Sequence, residues 1–265
     1  MLRTVLFSAA IAAAGFASAV EAAASTAPAA DPPTVVLVHG AFADAASWNQ
    51  VAHILQRKGV RTVAVDIPLT SLADDVAATR RAIDAAPGKV VLVGHSWGGT
   101  VITQAGGDDK VGALVYVAAF APDLGQNTAD QGKGFPAPPG LSRLQERDGS
   151  LWLSETGARE DFAQDLSGKQ AQRIFANQRP IRASAFVEPV TTAAWHAKPS
   201  WYLVSRKDRM IAPQLQTATA RRIGATLESI GSSHASPLSE PAQVADTILQ
   251  AAGVKQAEPD PLAGG

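Results

Sequence analysis

The chain has 265 residues, 46% of them hydrophobic, enough to bury the core of one large α/β domain or two small ones. A formal net charge of −1 without any long basic run excludes the electrostatic footprint expected of a nucleic-acid or anionic-lipid binder. The absence of cysteine excludes disulfides, thiolate metal sites and a cysteine nucleophile, so any chemistry must come from oxygen and nitrogen.

Met1-Leu2-Arg3 sets a positive charge before a small, apolar stretch over residues 4–16, and Ala17-Ser18-Ala19 fits a small-x-small cleavage site. Residues 1–24 therefore read as a signal peptide, with a second possible cut at Ala22-Ala23-Ala24, and imply a secreted or periplasmic protein. The apolar run is short for a span of ~20 residues, so no stable membrane anchor is expected. Residues 25–33, rich in Ala and Pro, read as a flexible leader.

From residue 34 strands and helices alternate. Thr34-Val35-Val36-Leu37-Val38 has the continuous apolar character of a buried strand, residues 51–58 suit a helix, and residues 61–65 form a second strand ending at Asp66 and Pro68. Leu72, Val76, Thr79 and Ile83 share one face of a helix whose solvent face is assigned Asp74, Asp75, Arg80 and Arg81. Pro87-Gly88 stops it before the strand Val90-Val91-Leu92-Val93. Further strands are expected at residues 113–117, 201–204 and 226–230, with a helix at 213–222 and a closing helix from near Pro237. Strand, helix and strand in repetition give a doubly wound, mostly parallel α/β sheet. The domain is bounded at 34–252, and residues 253–265 read as a disordered tail.

Residues 122–199 break this rhythm. Their prolines and glycines, with short helical candidates at 160–166 and 169–178, read as a cap insertion over the C-terminal edge of the sheet. Open α/β sheets place ligands at that edge. Phe42, Trp152, Phe162 and Phe175 are the candidates for lining a substrate pocket there; Phe135, Phe186 and Trp195 are further aromatics that either join them or fill the insertion's own core.

Gly94-His95-Ser96-Trp97-Gly98 is G-x-S-x-G between a buried strand and a helix, the context of a nucleophile elbow. A serine on so sharp a turn presents its hydroxyl to the open, and the helix start directs N–H groups at any anion forming beside it. The hydroxyl needs a base and a group to orient that base. Of five histidines, His39, His53, His95 and His196 suit turn, surface or packing roles. His234 follows the last strand in a Gly- and Ser-rich loop at the same sheet edge as Ser96. Asp208, in the loop after residues 201–204, is the preferred acid, with Asp123 and Asp66 as rivals. The oxyanion donors are assigned to the backbone N–H of Trp97 and of Ala41, with Phe42 second to Ala41.

These stretches together resemble the α/β-hydrolase superfamily: Val36 to Ala41, Val63 to Asp66, Val91 to Gly99, Val115 to Phe120 with Pro122-Asp123, Lys207-Asp208, and His234 followed by Glu240-Pro241. Within it they are most similar to the branch holding plant methylesterases, hydroxynitrile lyases and their bacterial relatives, from about residue 34 to residue 249. The resemblance implies a Ser96–His234–Asp208 triad, oxyanion donors at Ala41 and Trp97, and neither cofactor nor metal. Lyases of that branch carry threonine and lysine where this chain has Gly40 and Ala235, which favours ester hydrolysis. Trp97 stands where leucine or methionine is usual. The expected partner is a small-molecule ester of apolar character, with lactone or amide hydrolysis, or ligand binding by a degenerate hydrolase, as alternatives.

Overall fold

In the computed structural model, residues 32–254 are described. The residues read as signal peptide, most of the leader and the tail from 255 onward lie outside them. Among the described residues, no helix is long and apolar enough to cross a membrane.

Chain order gives β1 (Thr34–Val38), α1 (Asn49–Arg57), β2 (Thr62–Val65), α2 (Leu72–Ala85), β3 (Val90–His95), α3 (Trp97–Ala105) and β4 (Val111–Val117). The insertion then carries β5 (Leu144–Arg147), β6 (Ser150–Leu153), the single-turn α4 (Glu155–Gly157), α5 (Gly168–Asn177) and β7 (Ile181–Arg182). The fold closes with β8 (Ser200–Ser205), α6 (Pro213–Arg222), β9 (Thr226–Ile230), the short α7 (Ser236–Ser239) and α8 (Pro241–Ala251). The single closing helix expected from near Pro237 is thus two, broken at Glu240, whose backbone leaves the helical region ahead of Pro241.

Six strands form one sheet in the order β2-β1-β3-β4-β8-β9, every pair parallel. Strands buried on both faces need apolar residues at every position, which explains the unbroken Val/Leu runs of β1 and β3. Alternation along β1 sends Val36 and Val38 to a core shared with Val76 and Ile83 of α2 and Val101 and Ile102 of α3. Val35 and Leu37 go to the opposite core, closed by Val51 and Leu55 of α1 and Val244 and Ile248 of α8. Strand order reverses between β1 and β3, so the loops leaving those strands diverge and open a crevice at the C-terminal edge.

The insertion differs from its sequence reading in containing a small antiparallel sheet, β5-β6-β7. Such short strands, one of only two residues, leave no periodic signal long enough to read. Asp75 also departs from expectation. It is fully buried rather than on the solvent face of α2, because neighbouring positions on a helix differ by about 100° and its side chain turns toward α3.

Candidate active site

Ser96 sits between the end of β3 and the start of α3 with φ 53° and ψ −119°, a conformation costly for a residue with a Cβ. Close packing enforces it. A Cβ at Gly98 would stand 2.5 Å from the Val38 carbonyl oxygen, and one at Gly40 would stand 2.8 Å from the Ser96 Cβ. The turn therefore fits against β1 only where glycine occupies both positions.

His234 enters from the loop after β9, and Asp208 from the loop after β8. Ser96 Oγ lies 2.9 Å from His234 Nε2, and His234 Nδ1 lies 2.7 Å from Asp208 Oδ2. An imidazole so placed can take the hydroxyl proton at Nε2 while Nδ1–H remains bonded to the carboxylate. Asp208 is itself held from three other sides. Its Oδ1 accepts the backbone N–H groups of Met210 (2.7 Å) and Ile211 (2.9 Å), and its Oδ2 accepts Gln216 Nε2–H at 2.7 Å. Gln216 escaped sequence reasoning; its only signal is its place on α6, eight residues after the acid. Of the rival acids, Asp123 pairs with His196 at 2.8 Å and Asp66 with Arg179, and neither bonds to His234.

Two histidines given bland roles brace this arrangement. Burial holds the pKa of His39 below the usual histidine value, so the ring is neutral; Nε2 accepts the Ile67 N–H (3.2 Å) and Nδ1–H donates to the Gly40 carbonyl at 2.8 Å. That bond fixes the turn carrying Ala41. Burial likewise pushes His95 well below its usual value, and its Nε2–H donates to the His234 carbonyl at 2.8 Å. Among the described residues, the backbone N–H groups of Ala41 and Trp97 have no acceptor, whereas that of Phe42 donates to the Arg179 carbonyl at 3.0 Å. The Phe42 N–H is thus already engaged, and those of Ala41 and Trp97 are not.

Ser96, His234 and Ala41 line a cavity of about 480 Å³ whose walls are mostly apolar. Phe42 and Phe162 line it, joined by Phe120, Phe135 and Phe186. Trp152 and Phe175 do not. Leu151 of β6 faces the cavity, so the next residue, Trp152, points to the other side of the strand. Phe175 packs on the large core cluster, while the face of α5 with Gln170, Arg173, Ile174 and Asn177 borders a second cavity of about 580 Å³. Trp195 also stays outside, its indole N–H donating to the Pro122 carbonyl at 3.1 Å. Among the described residues, no cluster of three or more His, Asp or Glu side chains has the geometry to hold a metal ion.

A parallel sheet with a serine on a strained turn at its switch point defines a class of protein. Over residues 35–247 the chain matches the alpha/beta hydrolase family, and it belongs to that family. It is 28% identical to the probable hydrolase R7 of a Phoma species over 246 residues, covering 84% of this chain and 99% of that one. Over 104 residues it is 36% identical to methylesterase 2 of Arabidopsis thaliana, covering 33% of this chain and 40% of that one. A solved extracellular alpha/beta-hydrolase from a Paenibacillus species, described as sharing structural and functional homology with tobacco salicylic acid binding protein 2, superposes with a TM-score of 0.71 at 24% identity. That superposition covers 83% of this chain and 99% of the other.

Proposed function

We propose that the protein is a serine hydrolase that cleaves carboxylic esters of small to medium apolar substrates through an acyl-enzyme. The observation that carries this reading is the unbroken line from Ser96 Oγ through His234 to Asp208, opening on an apolar cavity. Ser96 attacks the ester carbonyl as His234 takes its proton; the tetrahedral oxyanion points to the N–H groups of Ala41 and Trp97. Collapse expels the alcohol, protonated by His234. Water then repeats the sequence on the acyl-enzyme, releasing the acid and restoring Ser96. Asp208 keeps the imidazole in the tautomer that both steps need. Among the relatives, the likeness to a methylesterase supports ester over amide chemistry.

We further propose that residues 1–24 direct export, making the mature protein secreted or periplasmic, as the extracellular Paenibacillus neighbour suggests by analogy. The domain is then 34–252, with residues 122–199 as its cap. A turnover screen tests the reaction class: p-nitrophenyl acetate, butyrate and octanoate, matched γ-lactones, and matched anilides. Turnover of the short and medium esters, with anilides inert, is the expected result. Anilide or lactone turnover exceeding that of every ester would overturn the ester assignment.

A further inference from the structure

The fully buried carboxylate of Asp75 takes no part in the line from Ser96 to Asp208, yet it reaches the elbow. Its Oδ2 accepts the indole Nε1–H of Trp97 at 2.7 Å, and its Oδ1 accepts the backbone N–H of Leu69 at 2.7 Å. Both donors belong to residues in demanding positions. Leu69 has φ 61°, where a side chain of its size is strained, and its carbonyl accepts the N–H of Arg182 in cap strand β7 at 3.0 Å. Trp97 follows the nucleophile, its ring is fully buried, and it lies 5.1 Å, centroid to centroid, from Phe186 on the cavity wall. One carboxylate thus fastens the elbow, the loop after β2 and the cap.

Resting on the serine-hydrolase reading, we propose that Asp75 is a positioning residue for ester cleavage: its ionised carboxylate anchors Trp97, fixing that residue's main-chain N–H toward the oxyanion. Ionisation matters because both oxygens are acceptors. A protonated oxygen presents O–H to a neighbouring N–H, and one of the two bonds is lost. The surroundings make this protonation accessible. Burial raises the pKa of Asp75 to about 6, opposed by the Trp97 and Leu69 bonds and by the charge of Arg179, and assisted by Asp74 on its own helix. From α3 the facing group is the uncharged Trp97, and from the cap Glu188 accepts the Leu72 N–H at 3.1 Å nearby.

The test compares Asp75→Asn, Trp97→Phe and the double variant with the unsubstituted full-length protein. Three quantities are read on one acyl chain: kcat and KM for p-nitrophenyl butyrate, affinity for the corresponding trifluoromethyl ketone, and affinity for butyrate. The ketone adduct on Ser96 bears an oxyanion; butyrate reports the ground state. Asn retains the shape but can accept only one of the two N–H donors. A fall of about tenfold or more in kcat with KM unchanged is expected, because one poorly placed oxyanion donor costs up to ~10²–10³. Ketone affinity should fall in parallel and butyrate affinity should not. Asp75→Asn should add little in the Trp97→Phe background. The acid limb of kcat/KM should be shallower in Asp75→Asn, which lacks the additional fall that protonation of Asp75 produces near its pKa of about 6.

Stability gives a signal of opposite sign. The unfolded carboxyl titrates near 3.8 and the folded one near 6, so the native state binds the proton first. This group's stabilisation is complete below the unfolded value and lost as pH rises through 6, and Tm relative to Asp75→Asn should climb on acidification while activity falls. Lower Tm in Asp75→Asn with unchanged kcat, ketone affinity and acid limb would make Asp75 merely structural and overturn the proposal. Should Asp75→Asn not fold, an acid limb in Trp97→Phe as steep as in the unsubstituted protein overturns it equally. Absence of both turnover and ketone binding in the unsubstituted protein overturns the hydrolase reading as well, whereas turnover there with an unaltered Asp75→Asn overturns this inference alone.

Discussion

A buried carboxylate orients a histidine only when its own charge is satisfied, and Asp208 receives four N–H donors for its two oxygens. Three of them come from its own loop and from α6, so the oxygen facing His234 is fixed before substrate arrives. Asp208→Asn keeps the shape but offers the imidazole an N–H or the wrong tautomer. Steady-state kinetics should show kcat lower by ~10³–10⁴ with the circular dichroism spectrum retained, so that the loss is one of chemistry and not of fold. Asp123→Asn, which removes only the pair with His196, should leave kcat as it was; equal losses in the two variants would move the acid to Asp123. At this scale the sequence was informative wherever chemistry demands a residue type at a fixed spacing, as in Gly94-His95-Ser96-Trp97-Gly98. Gln216 and the bracing roles of His39 and His95 were hidden, because each depends on a partner distant in sequence or on a ring orientation that burial decides.

Elements shape the cavity. The long strands were legible because burial on both faces writes every position apolar, and Pro213 and the Arg221-Arg222 pair mark the two ends of α6. The cap was not. Its sheet is too short to show a period, and without the register of β6 the aromatic Trp152 looks like a pocket residue when its neighbour Leu151 is one. The same limit misplaced Asp75, whose inward turn follows from the packing of α2 on α3. The alternation in β6 has a kinetic consequence. Leu151→Trp should fill part of the cavity and reduce kcat/KM for p-nitrophenyl octanoate far more than for the acetate, whereas Trp152→Ala should leave the acyl-length profile unchanged. An altered profile in Trp152→Ala alone would contradict the side chain's outward placement. The segment between β4 and β8 is also tied to the histidine loop: the Ala235 N–H donates to the Phe162 carbonyl at 3.0 Å and the Ser233 N–H to Asp165 at 2.7 Å. Phe162 meets His234 edge-on, with centroids 5.1 Å apart, so the pocket wall and the proposed base are seated together.

For the whole molecule, topology decides where chemistry is possible. A six-stranded parallel sheet brings every strand's C-terminal end to one edge, and reversal of strand order between β1 and β3 opens that edge beside Ser96. Residues 41, 96, 208 and 234 meet there although they leave four different strands. We propose that this convergence makes Ser96 an activated nucleophile in a protein that turns over esters. The most direct measurement is labelling of the intact protein with a fluorophosphonate, followed by peptide mass spectrometry and by p-nitrophenyl butyrate turnover on the same preparation. One modified residue, Ser96, is expected, with labelling abolished in Ser96→Ala and slowed in His234→Ala, and with kcat of about 1–10³ s⁻¹ in the unlabelled protein. Labelling at another residue, or turnover undiminished in Ser96→Ala, would contradict the assignment, and Ser96 labelling with an acyl-enzyme that accumulates stoichiometrically and does not turn over would make the protein a binder rather than an enzyme.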